Sequence, residues 1–119
     1  MLKSYLQETS AVIVQRSIQG QEEQWIPPMD ILETQSAYLV HLEVPGARKQ
    51  DLRLGFRDNT LTIWGKRHND EQDTTISFLQ MEIEYGEFHR EIHFPHQVSR
   101  EQTKAHYKNG VLKVVLPKR

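Results

Sequence analysis

The chain has 119 residues, a length that fits a single domain. Its 15 Lys and Arg residues nearly balance its 16 Asp and Glu residues, which argues against a broad nucleic-acid-binding surface. The sequence contains no Cys, and this excludes disulfide scaffolds, thiolate zinc sites and thiol catalysis.

Residues 1–26 are expected to form an N-terminal arm, because they are rich in Gln, Ser and Thr and lack a strand pattern. Leu2, Leu6 and Ile13 fall near helical spacing. Two interpretations stay open: a flexible arm with a marginal helix, or an amphipathic segment that docks elsewhere. The longest uncharged apolar run is 11–14, far short of the roughly 20 residues of a membrane span. No signal-peptide pattern is evident, so the cytoplasm is the default location.

From Met29 onward the apolar residues alternate with polar ones, which is typical of half-buried strands. Turn signals at Pro45-Gly46, Asp58-Asn59 and Asn109-Gly110 separate the runs. Together they predict an all-β domain over residues 27–119, an antiparallel β-sandwich. The predicted strands cover residues 37–44, 52–56, 60–66, 76–85, 88–94, 105–107 and 111–116.

The predicted strand 76–85 follows a polar loop and has an irregular phase. Ile76 and Phe78 share one face, whereas Leu79 and the alternate residues after it share the other. A bulge or break near Phe78 explains this slip.

The sequence offers no support for an enzyme, since it lacks nucleophile, phosphate-binding and zinc-protease motifs. His89 and His93, with Glu91 between them, lie on one face of a predicted strand. Such a pair needs a third ligand to hold a metal, and a solvated strand face is the favoured interpretation. We therefore expect no metal and no cofactor.

Arg90 is unusual because the alternation places it on the same face as Phe88 and Ile92. Its charge either extends to solvent at an edge or is paired with a carboxylate across a subunit interface. A similar choice concerns Leu52 and Leu54: they either fill the core, which the pattern favours, or form an apolar edge that accepts an added strand.

Several runs resemble the α-crystallin domain of small heat shock proteins in order and spacing. The most specific is Ala105-x-x-x-Asn109-Gly110-Val111-Leu112. The other matching runs are Pro28 to Thr34, Leu42 to Gly46, Asp51-Leu52, Asn59 to Arg67, Gly86-x-Phe88-x-Arg90, Phe94-Pro95 and Leu116-Pro117-Lys118. The resemblance covers about residues 27–118 and implies an immunoglobulin-like β-sandwich with a strand-exchange loop.

The resemblance also implies a homodimer and ATP-independent holdase activity toward partly unfolded client proteins. The exchanged strand would lie in the long loop, so the implied dimer interface comprises Ile76, Phe78, Leu79 and Arg90. The implied client groove comprises Leu52, Leu54, Phe56, Ala105 and Tyr107. In the arm, Leu6, Val12 and Ile13 are the candidate contacts for clients or for assembly.

One departure from the family pattern bears on assembly. Family members carry a tail with an I-x-I-like motif, whereas this sequence stops at Arg119. We therefore expect either a dimer or a small oligomer, or else dimers that are linked through the N-terminal arm. The alternative function is a dedicated interaction module that recognises one folded partner, as in related co-chaperone sandwiches.

Overall fold

The structure, a computed structural model, describes residues 25–71 and 77–119 and the backbone of the short strand Leu6–Gln7. The strands are β1 (Leu6–Gln7), β2 (Met29–Glu33), β3 (Ala37–Glu43), β4 (Arg53–Arg57), β5 (Thr60–Arg67), β6 (Gly86–His93), β7 (Lys104–Lys108) and β8 (Val111–Pro117). A single 3-10 turn, Lys49–Asp51, precedes β4.

The strands form two four-stranded sheets. Sheet A has the order β1-β4-β5-β6 and sheet B has the order β2-β3-β8-β7. Every neighbouring pair is antiparallel except β1 and β4, which are parallel with Leu6 opposite Leu54. The predicted all-β sandwich is confirmed.

Two tight turns set the registers of the hairpins as the sequence predicts. Asp58 and Asn59 have φ of 50° and 60°, and Asn109 and Gly110 have φ of 55° and 79°. Positive φ at both central residues matches the right-handed twist of the joined strands. The Asn59 side chain also donates to the carbonyls of Phe94 and His96, at 2.9 and 3.0 Å, and so ties this turn to the chain after β6.

The inward faces of the two sheets share one apolar core. Val40, Leu112 and Val114 of sheet B meet Leu61 and Ile63 of sheet A, and all five are fully buried. Trp25 also belongs to this core, packed edge-on against Phe88 with ring centroids 5.4 Å apart. The packed domain therefore includes a residue two positions before the expected start at residue 27.

Gly65 is required by close packing inside sheet A. A Cβ atom at this position would lie 2.7 Å from the Asp51 carbonyl oxygen and 2.9 Å from Cζ of Phe88. We expect Gly65→Ala to lower the free energy of unfolding by about 2–3 kcal/mol, because a backbone carbonyl must move. Lys66→Ala, one residue later on the exposed side, is the control. Thermal melts of the two variants that coincide would contradict this assignment.

The predicted strand over 76–85 is wrong for the described part of this segment. Residues 77–85 contain no strand, and Ile76 lies outside the described residues. A strand needs a neighbour for its backbone hydrogen bonds, and β6 continues sheet A only from Gly86 onward. We call the chain between β5 and β6 (residues 68–85) the β5–β6 loop, of which the structure describes residues 68–71 and 77–85.

Candidate functional site: the β5–β6 loop and the sheet edges

The β5–β6 loop presents a run of large apolar side chains to solvent. Leu79 is fully exposed and Phe78 is 49% exposed, while Met81 and Ile83 are 61% and 60% exposed. Exposed apolar residues scattered singly are ordinary, but four within six positions form a patch. A patch of this kind marks an interaction surface. Phe78 and Leu79 are thus accessible for the predicted contact, which itself remains a prediction.

Strand β2 is the outer strand of sheet B and also carries exposed apolar side chains. It pairs only with β3, and Ile31 and Leu32 are 47% and 44% exposed on its two faces. Glu33 at its end bonds to Nζ of Lys118 at 2.7 Å, and this hydrogen bond lowers the pKa of the Glu33 carboxyl group. Within the described chain, the free backbone groups of β2 form an open edge of the kind that accepts an added strand.

Arg90 lies on β6 opposite Ile63 and is half-buried beside Phe88 and Ile92. Its Nη1 donates a 2.8 Å hydrogen bond to the carbonyl oxygen of Pro27. The described contact is therefore with the backbone that enters β2, whereas the sequence left open a carboxylate partner or solvent. The predicted role of Arg90 in the dimer interface stays a prediction.

We expect Arg90→Ala to lower the free energy of unfolding by about 1.5–3 kcal/mol, because it leaves the Pro27 carbonyl without its charged donor. Arg53→Ala is the matched control, since Arg53 is exposed on β4 and an exposed charge contributes less than about 1 kcal/mol. Urea unfolding of both variants measures the difference. Equal midpoints would show that the bond to Pro27 is energetically unimportant.

The predicted groove residues are mostly interior. Leu52, Leu54, Phe56 and Ala105 are buried members of the core. This agrees with the interpretation that the apolar side chains of 52–56 fill the core. Tyr107 is partly buried and donates a 2.7 Å hydrogen bond to the carbonyl of Val44. Burial raises the pKa of its hydroxyl group.

The backbone edge of β4 is the part of the groove that pairs with another segment. Residues Leu6 and Gln7 add to it as the parallel strand β1, in register with Leu54 and Gly55. The edge of β4 is therefore able to take an extended segment. The other two predicted arm contacts, Val12 and Ile13, lie outside the described residues.

The candidate histidine face is a strand surface. Glu91 and His93 are exposed, and Nδ1 of His93 lies 2.9 Å from the Thr60 hydroxyl. Among the described residues, no group of three His, Cys, Asp or Glu is arranged to hold a metal ion. The described part of the chain likewise contains no helix long and apolar enough to span a membrane.

The hydrophobic pattern assigns no role to Arg67, which the structure places at the end of β5, where the β5–β6 loop begins. Its guanidinium group donates to the carbonyl oxygens of Pro45 and Glu84 and lies 4.0 Å from the ring centroid of Trp25. These contacts link positions far apart in sequence and have no periodic signature.

Comparison with known proteins agrees with this geometry. The family model described as "Hsp20/alpha crystallin family" matches residues 30–119. Small heat shock protein C2 of Rickettsia felis is 31% identical over 98 residues, which cover 82% of this chain and 64% of that protein. The 17.8 kDa class I heat shock protein of Arabidopsis thaliana is 32% identical over 91 residues, covering 76% of this chain and 58% of that protein.

Solved structures show the same domain. A small heat shock protein from Xylella fastidiosa superposes with a TM-score of 0.73 at 30% identity, covering 81% of this chain and 88% of that one. The hspA protein of Xanthomonas axonopodis gives 0.72 at 30% identity, covering 81% and 96%. The fold is thus that of an α-crystallin domain.

The chain belongs to the Hsp20/alpha crystallin family of small heat shock proteins. This confirms the resemblance seen in the sequence and supports a chaperone role. The chain spans about three-fifths of the length of the curated relatives it matches, between 56% and 64% for the first three.

Proposed function

We propose that this chain is a cytoplasmic, ATP-independent holdase that binds partly unfolded client proteins and prevents their aggregation under stress. The observation that carries the proposal is the apolar surface of the β5–β6 loop and of β2, exposed in a domain whose family has a chaperone role. Such surface binds other polypeptides without requiring a chemical step.

The working unit in this proposal is a homodimer formed by strand exchange, alone or within a small oligomer. In one copy the described loop residues 77–85 include exposed Phe78 and Leu79 and pair with no strand, whereas β2 is an open edge with exposed Ile31 and Leu32. Pairing the loop of one copy with β2 of the other gives the loop a strand partner and covers the open edge of β2. Burial of the loop side chains contributes several kcal/mol at roughly 25 cal/mol per Å².

Arg90 supports this arrangement by holding the chain that leads into β2. Its bond to the Pro27 carbonyl fixes the chain two residues before β2 begins at Met29. An edge that is held in place loses less conformational entropy when it accepts a new strand. The role of Arg90 at the interface is thus to position β2.

Client segments are proposed to bind at the edge of β4 and along the arm. The pairing of Leu6 with Leu54 supports the first site, because it places an extended segment on this edge. The apolar arm residues Leu6, Val12 and Ile13 supply the second site. Client binding at β4 then competes with the chain's own β1.

The alternative is a dedicated module that recognises one folded partner. The two functions differ in when binding occurs. A holdase captures a protein only after heating has unfolded it, whereas a module binds its partner in the native state.

The test is co-migration on size-exclusion chromatography of the full chain with an unrelated model protein, before and after heating. We expect no complex with the native model protein and a large soluble complex after heating, without ATP. Bovine serum albumin that stays native at the chosen temperature is the control for nonspecific association. No complex after heating would overturn the holdase proposal.

A further inference from the structure

Arg67 is the last residue of β5 and stands where three segments of the chain meet. Its backbone is in register with Gly86, the first residue of β6, so the β5–β6 loop leaves and returns at this point. The side chain reaches past that pair to the residues just before β6. Nε and Nη2 both donate to the Glu84 carbonyl oxygen, with the Nε bond at 2.9 Å.

The remaining donor, Nη1, reaches the turn after β3. It bonds to the carbonyl oxygen of Pro45 at 2.9 Å. That turn is also held by Tyr107, whose hydroxyl donates to the neighbouring carbonyl of Val44 at 2.7 Å. Arg67 therefore anchors the returning end of the loop to a turn that is itself fixed to sheet B.

The guanidinium plane also contacts two aromatic rings. It lies 4.0 Å from the ring centroid of Trp25 and 5.8 Å from that of Tyr85. Trp25 Nε1 donates to the carbonyl of Gly86 at 3.2 Å, and its ring packs on Phe88. Trp25, near the end of the arm, and Glu84 and Tyr85, at the returning end of the loop, thus all contact the Arg67 guanidinium group.

The chemistry of the contacts requires arginine. A planar guanidinium group donates in two directions in its plane while its face stacks on an aromatic ring. A lysine ammonium group at this place keeps the attraction to the ring but cannot make the forked pair to Glu84 together with the bond to Pro45.

We propose that Arg67 is a positioning residue that fixes the returning end of the β5–β6 loop and couples it to the root of the arm at Trp25. We call Arg67, Trp25, Pro45, Glu84 and Tyr85 the Arg67 clasp. The clasp fixes the chain at Glu84, five residues after Leu79. Its effect on dimerisation rests on the proposed function, but its effect on the loop and on Trp25 does not.

A physical consequence is that the arm and the loop are not independent. Loss of Arg67 removes the cation above Trp25 and both donors to Glu84, so that both segments gain freedom together. A dimer that captures the loop then has more entropy to lose, and its dissociation constant rises.

The experiment compares Arg67→Met, Arg67→Lys and Arg57→Met in the full chain. Methionine retains the aliphatic packing but removes every donor. Arg57 is the matched control, because it is exposed at the end of β4 and its ion pair with Asp58 is long, at 3.9 Å. Hydrogen exchange of residues 82–86, Trp25 emission in a Trp64→Phe background, and sedimentation equilibrium are measured for each. The background is shared by all samples, since the chain has only two Trp residues.

We expect Arg67→Met to speed amide exchange in 82–86 by about tenfold or more, to shift Trp25 emission to the red, and to raise the dimer dissociation constant by about tenfold. Arg67→Lys should shift Trp25 emission less than Arg67→Met does, because the charge near the ring is kept. It should still speed amide exchange in 82–86, because the forked hydrogen bonds are lost. Arg57→Met should match the unsubstituted chain. If Arg67→Met does not fold, amide exchange of residues 82–86 in Arg67→Lys tests the proposal instead.

Unchanged loop exchange and unchanged Trp25 emission in a folded Arg67 variant would overturn the proposal. In Arg67→Met, faster exchange in 82–86 with unchanged Trp25 emission would overturn the coupling to Trp25. If the unsubstituted chain sediments as a monomer at every concentration, the dimer proposal fails, and exchange and emission still decide whether Arg67 positions the loop.

Discussion

Replacing both Phe78 and Leu79 by Ser is expected to convert the proposed dimer into a folded monomer at micromolar concentration. Both side chains are exposed in the single chain, so their removal costs the fold little. In the proposed dimer each is buried, and the burial of a large apolar side chain contributes about 1.5–3 kcal/mol. Loss of both side chains should raise the dissociation constant by about a hundredfold or more.

Sedimentation equilibrium over a range of concentrations measures this change. Val115→Ser is the control, because Val115 is an exposed apolar residue of β8, which β3 separates from β2 in sheet B. The control should remain a dimer. A double variant with the mass and the concentration dependence of the unsubstituted chain would show that the β5–β6 loop does not form the interface.

Deletion of residues 1–24 is expected to leave a folded dimer and to weaken protection of heated clients several-fold. The deletion retains Trp25, which packs in the core on Phe88 and beneath the cation of Arg67. It removes Leu6, Val12 and Ile13, which we propose as adaptable apolar contacts. It also frees the edge of β4, so some protection should remain.

The same assay separates apolar from electrostatic capture. The chain has a net charge of -1, so long-range electrostatic attraction contributes little to client capture. Raising salt from about 0.05 to about 0.5 M should therefore change protection little, since screening does not weaken apolar contacts. Protection that collapses in salt, or that is equal with and without residues 1–24, would contradict this part of the proposal.

The strands of the sandwich could be predicted from sequence because their signals are local. Alternation over 37–44 predicts β3, observed as Ala37–Glu43, and Asn109-Gly110 predicts the turn between β7 and β8. These patterns depend on neighbouring residues, and the structure retains them.

The signals that failed depend on partners distant in the chain. The alternation after Ile76 predicts a strand, but no strand forms in residues 77–85, which lie outside both sheets of the single chain. By contrast, alternation places Leu52 and Leu54 on one face and favours the core over a groove edge, and the structure agrees. Both are in the core.

Arg67 and Trp25 show a second limit of sequence interpretation. Arg67 is followed by a polar loop and Trp25 lies near the end of a polar arm, so hydrophobic periodicity predicts no contact for either. Their contacts join residues separated by about forty positions, and only the folded topology brings them together. Arg90 could be predicted in part. Its inward direction follows from alternation, whereas its bond to the Pro27 carbonyl does not.

The most direct test of holdase activity is light scattering by two unrelated model proteins, heated separately with the full chain and without ATP. We predict that the chain suppresses the scattering of both, and that both recover activity when refolding chaperones are added afterwards. Scattering that rises unchecked for both proteins, or suppression of one alone, would contradict a general holdase.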